Sequence, residues 1–149
     1  MKKIFLSAAV MLTLLSATFA YYPDKVTDRA SASFRKDFIK AATLHSEVIN
    51  NHVRFTFQEN NETRYAYYDF EGNLIGVVQH ILTSSLPEDL QKEIKKHYSN
   101  YWITELFQVT NENGVSYYIQ LTNAEETVVL SSDDGFGWQR YMQKKSDNL

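Results

Sequence analysis

The chain of 149 residues has no cysteine, two prolines and five glycines. Without thiols there can be no disulfide and no thiolate nucleophile, so the fold must be held by its core alone. None of the glycines forms a phosphate-cradling loop ahead of a helix. An excess of one charge is also missing, with 15 Lys and Arg against 18 Asp and Glu. That balance favours neither nucleic acid nor an anionic membrane as partner. The histidines at 45, 52, 80 and 97 show neither His-x-His nor His-x-x-x-His spacing. No metal or other cofactor is expected.

One long apolar run is present, from Ile4 to Leu15, behind Lys2 and Lys3 and ahead of the small-x-small triplet Thr18-Phe19-Ala20. This is the pattern of a cleavable secretory leader over residues 1–20, and the run falls short of the roughly 20 residues that span a bilayer. Cleavage leaves residues 21–149 as one domain. Taking Lys2 and Lys3 from the 15 leaves 13 basic residues against 18 acidic, a net charge of −5. No cysteine near the cleavage site could carry a lipid, so the expected location is the periplasm or the exterior, without a stable membrane anchor.

Past the leader, the chain makes the same statement twice, over about 28–82 and 85–143. Ala30, Phe34, Phe38 and Ala41 recur at helical spacing. The segments LHSEVIN, HVRFTFQ, RYAYYDF and LIGVVQHIL follow as strands, parted by Asn- and Gly-bearing turns. The second unit opens at Ser85-Leu86-Pro87-Glu88, read as a capping box, and Leu90, Ile94 and Tyr98 share one helix face. YWITELFQVT, VSYYIQLT, ETVVLSS and WQRYMQ complete it.

Registers follow from setting apolar residues opposite apolar ones, because a slip of one residue turns a whole strand over. A two-residue Asn50-Asn51 turn sets Val48 against Val53, Ser46 against Phe55 and Leu44 against Phe57. The other face then carries Ile49–His52, Glu47–Arg54 and His45–Thr56. Around Asn113-Gly114, a three-residue loop pairing Val109 with Tyr117 and Phe107 with Ile119 is preferred. The expected core is Val53, Phe55, Phe57, Tyr68, Phe107, Val109, Tyr117, Ile119, Leu121, Val128 and Leu130, covered by Phe34, Phe38, Leu90 and Ile94.

The layout YAYYDFEGNLIG, SLPEDLQKEIKKHY, VSYYIQL and VLSSDDGFGW resembles the PepSY-like, β-lactamase-inhibitor-like (BLIP-like) domains of small exported bacterial proteins. The likeness covers nearly all of residues 28–143. It implies an α+β fold: a duplicated unit of one helix and a four-stranded antiparallel sheet, with the helices on one face and the other open. The inhibitor that names the family grips β-lactamase through its concave sheet and is stapled by disulfides, which this chain lacks. No inhibitory residue carries over by position.

Catalysis finds little support. His52 is expected opposite Asp69, but no nucleophile completes a site. The Asp-rich turns lack the alternating oxygen ligands of a calcium loop, and the Asn61-Glu62-Thr63 sequon lies in a turn. The aromatic load is the unusual quantity, at 10 Tyr, 9 Phe and 2 Trp. The registers put Glu47, His52, Arg54, Tyr65, Tyr67 and Tyr118 on the open face, residue types suited to protein recognition. The expectation is a non-enzymatic module that grips an unidentified protein or peptide of the cell envelope. The alternative is a small-ligand sensor or carrier with a pocket between helices and sheet. The leader is checked by mass spectrometry of the exported chain: the expected N-terminus is Tyr21, and an intact Met1 would contradict it.

Overall fold

The structure, a computed structural model, describes residues 24–141; the assigned leader lies outside them. Helix α1 (Asp24–Asp37) leads into strands β1 (Ala42–Ile49), β2 (His52–Glu59), β3 (Glu62–Tyr68) and β4 (Leu74–His80). A 3-10 turn (Thr83–Ser85) precedes helix α2 (Glu88–His97) and strands β5 (Trp102–Asn111), β6 (Gly114–Thr122), β7 (Thr127–Ser132) and β8 (Gln139–Arg140). The eight strands form one antiparallel sheet in chain order, because β4 pairs with β5 from Val77–Thr110 to His80–Phe107. Among the described residues the fold is therefore α+β, an open eight-stranded antiparallel sheet with two helices.

Strand parity puts both helices on the same face. Val53, Phe55 and Phe57 alternate with half-buried polar neighbours along β2, and with Ala66 and Tyr68 they form the bed for Ala30 and Phe34 of α1. The Phe34 ring stacks on Phe55 at 4.6 Å and meets Phe57 edge-on at 5.3 Å. Under α2, Leu86, Leu90 and Ile94 pack on Leu106, Ile119, Leu121, Val128 and Leu130. Burial of each such side chain contributes about 1.5–3 kcal/mol.

Polar latches hold each helix down. The Tyr68 hydroxyl donates to Asp37 at the end of α1 (2.8 Å), and burial beside that carboxylate pushes the phenol far up from its usual pKa. Trp138 donates its indole N–H to the Leu90 carbonyl of α2 (3.1 Å) and its backbone N–H to Glu93 (2.8 Å).

Four expectations need correcting. The capping box does not form: Pro87 is the N-cap of α2, without a side-chain cap, and Ser85 belongs to the preceding 3-10 turn. Leu44 does not face Phe57, because a bulge between Thr43 and His45 gives that place to Thr43 and leaves Leu44 exposed. The β5–β6 loop holds two residues between Asn111 and Gly114, so Leu106 opposes Ile119 and Phe107 opposes Tyr118. Phe107 and Val109 thus leave the helix-covered core for the opposite face. Finally, the described part of WQRYMQ, residues 138–141, forms a two-residue strand, with Trp138 outside it acting as the latch on α2.

Gly72 marks where the β3–β4 turn meets α1. Its φ is +91°, and a Cβ there would lie 3.0 Å from Ser33 Oγ and 3.2 Å from the Arg29 carbonyl oxygen. Gly72→Ala is expected to destabilise the fold by about 1–3 kcal/mol in urea unfolding, since both backbone strain and an unyielding helix carbonyl oppose the methyl group. An unchanged midpoint would show that the turn does not bear on the helix.

Candidate functional site

The face away from the helices carries its own apolar cluster. Tyr67, Val78 and Val109 are buried there, with Tyr65, Ile75, Phe107 and Tyr118 packed partly exposed around them. Tyr67 opposes Arg54, Tyr65 opposes Val78, Val78 opposes Val109 and Phe107 opposes Tyr118, so pairing alone brings these side chains to one side.

Arg54 anchors one end. Its guanidinium donates to Glu47 Oε1 from Nε (3.1 Å) and from Nη2, and lies over the Tyr65 ring, 5.5 Å from its centre. Burial works to discharge Arg54, but bonding to Glu47 and Tyr67 outweighs it and the net shift is upward. Burial likewise raises the Tyr67 phenol, against the pull of Arg54. From this anchor, ring contacts cross the sheet. Tyr65 meets His80 edge-on at 6.3 Å, His80 meets Phe107 at 6.3 Å, Phe107 stacks on Tyr118 at 5.4 Å, and Tyr118 meets Tyr141 at 5.8 Å. Burial, then the nearby Asp133 and Tyr141, push the Tyr118 phenol up to about 12, so it stays a neutral donor at any ordinary pH. The result is a continuous aromatic band from β2 to the residue after β8.

Glu47, His52, Arg54, Tyr65, Tyr67 and Tyr118 all lie on this face as expected from parity, but not equally. Tyr67 is only 4% exposed and acts as a floor beneath its neighbours, whereas Tyr65 and Tyr118 are half-buried and reach the surface. His52 is set apart from the band. No hydrogen bond joins it to Asp69, whose carboxylate oxygens accept from the Asn73 backbone and side chain (2.8 Å each). His52 Nδ1 is buried with no hydrogen-bond partner among the described residues. Asp134, in the second Asp-rich turn, accepts from Ser132 Oγ and the Phe136 N–H, which suits a turn. Sequence reasoning missed Val78, His80, Phe107, Val109 and Tyr141 as members of the face. The signal for the β5 residues was present, since Leu106 beside Phe107 makes that strand apolar on both sides.

No family model and no curated protein matches the chain. Solved structures share its fold. A BLIP-like protein from Bacteroides fragilis superposes with a TM-score of 0.69 at 14% identity, over 87% of this chain and 94% of that one. A DUF2874 family protein from Bacteroides ovatus gives 0.65 at 13% identity, over 82% and 89%. A candidate periplasmic protein from Bacteroides eggerthii gives 0.65 at 12% identity, over 81% and 90%. The chain therefore has a BLIP-like fold. Among the described residues, no helix is long and apolar enough to cross a membrane.

Burial lowers the pKa of His52 below its ordinary 6.5, only partly offset by Asp69. The unfolded chain thus takes up this proton before the folded one. Stability is complete above pH 6.5 and declines as pH falls from there through the lowered folded value. Urea titrations at pH 7.5 and 5.5 should show a smaller loss in His52→Gln than in the parent chain; equal losses would contradict the assignment.

Proposed function

We propose that this is an exported, non-enzymatic binding module that grips a protein or peptide of the cell envelope through the open face of its sheet. The observation carrying this reading is the unbroken band Arg54–Tyr65–His80–Phe107–Tyr118–Tyr141, assembled on the face that, among the described residues, no helix covers. The sheet needs no second aromatic layer for stability when its other face already holds two helix-covered clusters. Tyrosine and arginine on rigid strands offer large contact area and directed donors at low entropic cost. Inhibition of an enzyme is one form such a grip could take, and the BLIP-like fold supports it by analogy alone. Location in the periplasm or beyond is supported by the leader and by the Bacteroides eggerthii neighbour. The shared order of helix and four strands, with Asp69 to Gly72 answering Ser132 to Gly135, supports a PepSY-like repeat.

The alternative pocket between helices and sheet meets closely packed side chains, with Phe57, Leu90, Ile119 and Leu121 at 0% exposure. Capture from the chain's own envelope fraction tests the first reading. Tyr65→Ala with Tyr118→Ala should weaken retention of the captured partner about tenfold or more, while Lys92→Ala on α2 leaves it intact and all variants keep the parent circular dichroism. Equal retention by the double variant would overturn the proposal.

A further inference from the structure

The two edges of the sheet are built differently. At one end, β8 covers β7 through Leu130–Arg140 and Ser131–Gln139, and the Tyr141 N–H donates to the Val129 carbonyl (2.8 Å). At the other, β1 is eight residues long, contains neither lysine nor proline, and is exposed over its first five residues. Leu44 within it is 56% exposed, and Ile39 just before it 84%. Such an edge is a template for another strand unless something blunts it. Among the described residues, the edge is interrupted by the bulge between Thr43 and His45, which leaves His45–Ile49 regular.

We propose that β1 pairs antiparallel with β1 of a second copy of this chain, about a twofold axis at Ser46, doubling the width of the sheet. The phase of the ladder supplies the first reason. The two-residue Asn50-Asn51 turn closes on Ile49–His52, so the odd-numbered residues of β1 direct their backbone groups to β2. Ser46 and Val48 then direct theirs outward. A register centred on Ser46 sets outward groups against outward groups.

Charge selects this register among its neighbours. It places Glu47 opposite His45 of the second copy, twice by symmetry, within the regular stretch His45–Ile49. Centring on Glu47 would oppose two carboxylates, and centring on His45 would oppose two imidazoles. Within one chain, both Arg54 bonds and the 4.0 Å approach of His45 fall on Glu47 Oε1. The second carboxylate oxygen is left, among the described residues, for an imidazole N–H across the new seam. The dimer does not require the open-face reading, although Glu47 belongs to both surfaces.

Sedimentation of the full chain purified from the envelope, over about 10–500 µM, tests this. The parent chain should dimerise, and His45→Glu should weaken the dimer about tenfold or more, because like charges then oppose each other twice. His45→Lys, which sets a cation against Glu47, should remain dimeric. Ser46→Pro, which removes an outward N–H, should be monomeric. Circular dichroism identifies any variant that fails to fold, in which case the contrast between the two His45 variants decides. A parent chain monomeric throughout, or a His45→Glu chain as dimeric as the parent, overturns the proposal.

Discussion

The pairing of β4 with β5 is the constraint on which the molecule depends. It runs from Val77–Thr110 to His80–Phe107 and is prolonged by the Ile81 N–H donating to the Leu106 carbonyl (3.2 Å). Without it, each helix would still have strands to cover, but the open face would be two short patches. With it, Val78 sits against Val109 and His80 reaches Phe107, so the aromatic band passes from one half to the other. The same pairing fixes parity, because a slip of one residue at this seam would set Phe107 and Tyr118 level with the face that α1 covers and Leu106 level with the open face of the first half.

The two faces are stabilised by different means. The helix side is apolar and closely packed, with polar groups such as Tyr68 and Trp138 bonded to Asp37 and Leu90, while Arg64 Nε is buried there with no hydrogen-bond partner among the described residues. The open side mixes rings with charge. Arg54 is buried enough to need its partners, and Glu47, Tyr67 and the Tyr65 ring supply them on adjacent strands. A guanidinium held this way keeps its orientation before any ligand arrives, which reduces the ordering cost of binding.

Much of this was legible in the residues, and the failures have physical causes. The first hairpin reads directly, since Asn50 and Asn51 allow only a tight turn and Val48 meets Val53; Asn50 indeed has φ +53°. The helix stripes Ala30–Phe34 and Leu90–Ile94 were equally plain, because one face is apolar and the other charged. The β5–β6 register was not. Leu106 on one side and Phe107 and Val109 on the other make β5 apolar on both faces, so burial alone does not say which side meets the helix. The Leu44 bulge has no turn residue to announce it. The Trp138 latch joins positions 45 and 48 residues apart, beyond any periodic pattern. Of the site, parity gave Arg54, Tyr65, Tyr67 and Tyr118, but the continuity of the band needed the β4–β5 seam, which no local signal specifies.

A sheet with both halves on one surface can present a single broad contact, whereas two separate units would present two small ones. That difference is open to direct measurement by placing a photo-reactive residue at Tyr65 in the first half, at Tyr118 in the second, and at Lys96 on the helix side, in cells exporting the chain. The account predicts the same partner attached to positions 65 and 118 and none attached to position 96. Adducts formed from position 96 alone would contradict it.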